Sequence, residues 1–152
     1  MLQALPSGSL RDHLHFLYVR AVHLISFGED FKGHLDDRGY EAWKYDQRNQ
    51  LWYEIEIDPL GCLEERLFTC AHEMGHILHD YLQDWPRMRK GQRLPNRPVS
   101  TDLIELSCDQ FALHYLAHPG VREELAEILE PLYTEPYRVE FPLAPNPPRP
   151  AP

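Results

Sequence analysis

The chain has three cysteines in 152 residues, Cys62, Cys70 and Cys108, with no C-x-x-C pair among them. An odd, widely spaced set excludes a disulfide framework and a four-thiolate metal site, and it fits a reducing compartment. Positive charge is also scarce: 15 Lys and Arg stand against 24 Asp and Glu, a formal charge of −9. A broad nucleic-acid footprint needs net positive potential, so no direct high-affinity contact with nucleic acid is expected. Long hydrophobic runs are missing too. The most apolar N-terminal segment, HLHFLYVRAVHLISF, is interrupted by Arg20 and three histidines and lacks a basic lead and a small-residue cleavage site. It fails as a membrane span or a secretory signal, so no membrane partner is expected and the cytoplasm is the expected compartment. No internal repeat is present, and the length suits one hydrophobic core rather than two.

What is present divides into helical and extended stretches. Residues 9–27 open with Ser9 as an N-cap, and Leu10, Leu14, Leu17, Ala21, Leu24 and Ile25 recur at helical spacing, predicting an amphipathic helix that ends near Gly28. YEAWKY and LWYEIEID flank the turn-like DQRNQ, and Trp52, Glu54 and Glu56 alternate with Tyr53, Ile55 and Ile57, which predicts a hairpin with one wet face. Pro59 and Gly61 end it. Residues 64–82 return to helical period through Leu67, Ala71, Met74, Leu78 and Tyr81. The segment DWPRMRKGQRLPNRP, 84–98, predicts a loop carrying Arg87, Arg89, Lys90, Arg93 and Arg97, which could gather an acidic substrate segment, touch DNA, or stay solvated. Ser100, Thr101 or Asp102 can cap a helix to about Ala117, stopped by Pro119 and Gly120, with a short helix at 121–130 after it. The last twelve residues, FPLAPNPPRPAP, hold six prolines and predict a disordered tail, so the domain is expected over 1–140 and the tail over 141–152.

Chemistry concentrates in HEMGH, His72 to His76. On a helix, residues four apart have Cβ atoms about 5–6 Å apart, so both imidazoles can converge on one zinc. Glu73 is turned away by one residue and is placed to act as general base on water at the metal. Nine His and fourteen Glu make the pentapeptide reachable by chance, so its context decides. It lies inside a helical stretch, and Gly75 costs about 1 kcal/mol mid-helix relative to Ala, which predicts close packing against another backbone.

A catalytic zinc takes three protein ligands and keeps one position open. His79 lies one turn past His76, but a straight helix cannot easily stack three side chains onto one small ion, and a core-edge histidine is the plainer reading. A third histidine ten residues after the first is excluded, because position 82 is Leu82. In DLIELSCDQFALHYL, Glu105 and Asp109 are four apart on one face, with Leu106, Phe111 and Leu113 available to the core. Glu105 can be the third ligand and Asp109 can accept the second ring N–H of a ligand histidine. An acidic stripe facing water is the alternative. Two histidines and a carboxylate also accommodate manganese or iron. Tyr81, His114 and Tyr115 are each available as donors to a developing oxyanion.

RLFTCAHEMGHILHD followed by ELSCDQFALHYLAHP resembles the ImmA/IrrE family of metallopeptidases, whose pattern is roughly T-x-A-H-E-x-G-H and then E-x-x-A-N-x-F-A. The match spans about residues 65–119. Cys108 stands where the family usually has Ala, Asp109 where it has Asn, and His118 where Met is common before Pro119. The resemblance implies an α+β, minimal zincin-like (gluzincin-type) domain with helices packed on a small antiparallel sheet. It implies His72, His76 and Glu105 as zinc ligands and Glu73 as the catalytic base. It also implies a zinc endopeptidase that cleaves a helix-turn-helix transcriptional repressor to derepress stress, phage or mobile-element genes, here as a stand-alone protease domain. Two alternatives compete: a non-catalytic repressor-binding partner or toxin–antitoxin component with the same fold, and a protease of DNA–protein crosslinks.

Overall fold

The computed structural model describes residues 1–24, 39–45, 51–58, 62–89, 101–130 and 137–141. Among them a 3-10 turn at Leu2–Ala4 leads to α1 (Leu10–Phe16), β1 (Val19–Leu24), β2 (Gly39–Tyr45) and β3 (Leu51–Ile57). Then follow α2 (Leu63–Arg89), α3 (Asp102–Leu116), α4 (Pro119–Leu129) and β4 (Tyr137–Glu140). The architecture is mixed α+β.

Helix α1 starts where Ser9 predicts. The Ser9 hydroxyl accepts the Asp12 N–H and the Asp12 carboxylate accepts the Ser9 N–H at 2.8 Å, a reciprocal capping box. The helix does not reach residue 27. Tyr18 adopts φ 58, a left-handed conformation that no α-helix passes through, and Val19–Leu24 continues as a strand. Its register with β3 shifts between Val19 and Ala21, so the neighbours Ala21 and Val22 are both buried. That irregularity breaks the two-residue alternation and makes a strand read as a helix.

The described strands form one sheet in the order β2-β3-β1-β4. β2 and β3 pair antiparallel, from Gly39 opposite Ile57 to Tyr45 opposite Leu51, as a hairpin requires; the turn at 46–50 lies outside the described residues. The sheet is not wholly antiparallel, however, because β1 pairs parallel with β3 and antiparallel with β4. Side-chain alternation reports which face a residue occupies and is silent on strand direction, so this mixture is invisible in composition. Tyr53, Ile55 and Ile57 are buried and share one core with Val19, Val22, Leu67, Ala71, Met74 and Leu78. The opposite face is drier than its alternation predicts: Glu54 is buried, with the His23 ring 3.6 Å from its carboxylate. Arg20 lies over the Trp52 ring, 4.7 Å from its centre.

Helix α2 runs on to Arg89 through Pro86, so the loop expected from residue 84 begins no earlier than 90; residues 90–98 lie outside the described ones. Pro86 forfeits one backbone hydrogen bond, a loss tolerable where only three residues follow. Thr101 is the cap of α3, its hydroxyl accepting the Ile104 N–H. Pro119 starts α4 rather than merely ending α3, because the N–H it lacks has no partner at a helix start. Only Phe111 of the three residues expected to serve the core from α3 does so: Leu106 is 53% and Leu113 61% exposed, alongside Leu103 at 73%. The helix is turned so that Cys108, Phe111, Ala112 and Tyr115 face inward. Phe141, expected in the tail, is buried, and its N–H donates to the Arg20 carbonyl at 2.7 Å. The remaining tail, 142–152, lies outside the described residues. No helix among the described residues is long and apolar enough to cross a membrane.

Candidate metal centre

The centre is built where α3 crosses α2. Gly75 makes the crossing close: a methyl group there would lie 3.2 Å from the Cys108 Cα and 3.2 Å from the Phe111 ring. The backbone contact anticipated for this glycine is therefore a contact with α3. Cys108 is fully buried at it, and Glu105 and Asp109, three residues before and one after, are carried to His72 and His76.

The distances define a converging set. Glu105 places one carboxylate oxygen 2.9 Å from His72 Nε2 and the other 3.1 Å from His76 Nε2, and the two Nε2 atoms are 3.1 Å apart. Behind them, Asp109 Oδ1 lies 2.7 Å from His72 Nδ1. A carboxylate only accepts, so His72 donates its Nδ1–H to Asp109 and as a neutral imidazole presents a lone pair at Nε2. That lone pair meets a carboxylate and a second imidazole nitrogen. Three acceptor-bearing groups drawn to one point repel unless a cation or a proton sits among them.

Three arrangements meet that need, the first being the Nε2–H tautomer of neutral His76, which can donate to Glu105 or to His72 Nε2. An imidazolium at His72 would satisfy Glu105 and Asp109 together. A divalent cation satisfies all three donors. Tetrahedral zinc bound at about 2.0–2.1 Å sets neighbouring donor atoms about 3.3 Å apart, and the separations here lie a few tenths of an ångström inside that. His72, His76 and Glu105 form the one such group among the described residues, and the donor set fits zinc as well as manganese or iron.

Glu73 is buried at 6% exposure on the same turn. Its carboxylate neighbours Cys70, whose thiol is pushed up first by burial and then by that charge, so Cys70 stays a neutral thiol. Phe68, one turn before His72, sets its ring 6.2 Å from the His72 ring, a neighbour not singled out from sequence although it lies four residues away on the same face. His79 is half-buried on that face too.

The three residues considered as oxyanion donors are placed elsewhere. Tyr81 lies nine residues after His72, about half a turn round the helix, buried with its ring edge-on to Phe16 at 5.1 Å. Tyr115 is buried with its hydroxyl 2.7 Å from His13 Nδ1. Burial pushes its phenol well above the ordinary value, with Cys70 and Glu124 adding to the effect. His114 is exposed, about 140° round α3 from Asp109.

Comparison of the chain with family models, with curated proteins and with solved structures finds no match.

Proposed function

We propose that this chain is a metal-dependent endopeptidase of the zincin-like (gluzincin) type, similar to the ImmA/IrrE family, that cuts a helix-turn-helix repressor in the cytoplasm at one site. The observation that carries this reading is the convergence of His72, His76 and Glu105 within 2.9–3.1 Å, backed by Asp109, with a buried glutamate on the same helical turn. A structural ion pair has no need of Glu73. A bound divalent cation supplies Lewis acidity, which acidifies water and polarises a carbonyl.

The protein residues do the rest. Glu73 takes a proton from the attacking water onto its carboxylate and returns it to the leaving amine nitrogen. Asp109 holds the His72 Nδ1–H and so fixes the ring's orientation and raises its basicity. Gly75 lets α3 approach close enough for Glu105 to close the set. The test is cleavage of a neighbour-encoded helix-turn-helix repressor by the zinc-loaded chain, read by intact mass beside Glu73→Gln. One cut made by the wild type alone supports the proposal; equal cutting by the variant sinks the mechanism.

The exposed leucines of α3, Leu103, Leu106 and Leu113, favour a second reading, a non-catalytic partner that binds and masks the repressor. It would show as stable binding with full metal occupancy and no cut.

A further inference from the structure

The metal-bearing face of α2 extends one turn beyond the ligands. Phe68, His72, His76 and His79 follow one another along it, and His79, seven residues after His72, lies within about 20° of the same line. Side chains on a helix lean toward its N-terminus, so a ring at position 79 is directed toward the turn that carries His76. His79 is half-buried, and among the described residues its ring has no hydrogen-bond or ion-pair partner. Both other histidines of this face are engaged: His72 through both ring nitrogens with Asp109 and Glu105, His76 through Nε2 with Glu105.

His79 is too far along the axis to join the ligands, since seven residues rise about 10 Å and Glu105 already completes the set. From His76 it is only three residues on, a rise of about 4.5 Å. A peptidase needs a donor to the carbonyl oxygen as charge develops there, and the described alternatives are absent from this face: Tyr81 is on the opposite side, Tyr115 is joined to His13, and His114 faces outward. The acidic surroundings, Glu73, Glu105 and Asp109, offer acceptors only.

We infer that His79 is a catalytic residue that donates a ring N–H to the substrate's carbonyl oxygen in the transition state. This rests on the peptidase reading above. As the water oxygen bonds to the carbonyl carbon, the C=O π pair moves onto that oxygen and the water proton goes to Glu73. The His79 proton stays on its nitrogen throughout and stabilises the oxyanion by a hydrogen bond of about 2.7–3.1 Å. Collapse re-forms the carbonyl, breaks the C–N bond and sends the Glu73 proton to the amine.

The test uses the full chain loaded with cobalt(II), as wild type, His79→Phe and His79→Gln, titrated with methylphosphonate as a tetrahedral oxyanion and followed in the visible spectrum. The expected result is equal metal content and an identical starting spectrum in all three. Methylphosphonate affinity falls about tenfold in His79→Phe and largely returns in His79→Gln, whose amide can donate. Undiminished affinity in His79→Phe, or no binding by the wild type, overturns the inference. So does a lost or altered cobalt spectrum, which would make His79 a ligand. Where the repressor is cut, His79→Phe lowers kcat by about 100-fold with KM unchanged. Failure of the peptidase reading is separate: it shows as a metal-loaded wild type that binds methylphosphonate and leaves the repressor whole.

Discussion

Two histidines, His13 buried and His72 half-buried, are tied to α3, and they are tied differently. His13, on α1, has Nε2 2.8 Å from the Pro6 carbonyl and Nδ1 2.7 Å from the Tyr115 hydroxyl. A carbonyl only accepts, so Nε2 carries the proton and Nδ1 accepts from the phenol; one neutral tautomer satisfies every atom. His72, on α2, donates Nδ1–H to Asp109 and then points its other nitrogen at Glu105, which only accepts, and at His76 Nε2, whose role depends on its tautomer. The first cluster is complete as protein. The second draws two ring nitrogens and a carboxylate to one point, the one group among the described residues that could hold a metal ion.

The largest effect that would break this contrast is on metal affinity. Glu105→Ala removes one of three donors and should weaken zinc binding by more than about 100-fold, while Asp109→Ala, which disturbs only the orientation of His72, should weaken it about 10–100-fold. Unchanged zinc content in either variant, measured after dialysis against a competing chelator, would return the cluster to an ordinary ion-pair network. Gly75→Ala comes next. Its methyl would press on the Cys108 Cα at 3.2 Å, so denaturant unfolding should show a loss of about 1–3 kcal/mol, with zinc affinity falling as Glu105 is pushed away.

Tyr115→Phe sharpens the comparison from the other side. It leaves the His13 Nδ1 without its donor and should cost about 1–3 kcal/mol of stability while zinc affinity stays at the wild-type value. The smallest effect belongs to the cap of α1. The Ser9 backbone N–H, then its hydroxyl, hold the Asp12 carboxyl below its ordinary value of 3.8. A lowered folded-state value means the contribution is whole above the ordinary carboxylate range and fades as pH falls through the lowered one. The stability gap between wild type and Asp12→Asn should therefore close on acidification, and a gap that widened would show the sign to be wrong.

Much of the centre was legible because its parts are local. HEMGH lies on one helix, Glu105 and Asp109 on one turn, and the Ser9 and Thr101 caps stand beside the helices they start. What escaped depends on distant partners. Val19–Leu24 became a strand because β3 and β4 flank it, and its register shift imitated helical spacing. Tyr115 looked available for catalysis because the residue that occupies its hydroxyl, His13, is 102 positions away. Leu106 and Leu113 have the character of core residues, but the rotation of α3 is set by the fit of Cys108 against Gly75. Pro86 signalled a loop, yet near a helix end the backbone bond it deletes is one that can be forgone.

The pairing of β4 with β1 joins residues 137–140 to residues 21–24, and the Phe141 N–H adds one more bond to Arg20. During synthesis β1 emerges more than a hundred residues before β4, and its second edge stays open until residues 137–140 have been made. A ribosome stalled before Tyr137 would thus hold His72, His76 and Glu105 beside an unfinished sheet. Release of β4, rather than arrival of Glu105, is the event that closes the described sheet.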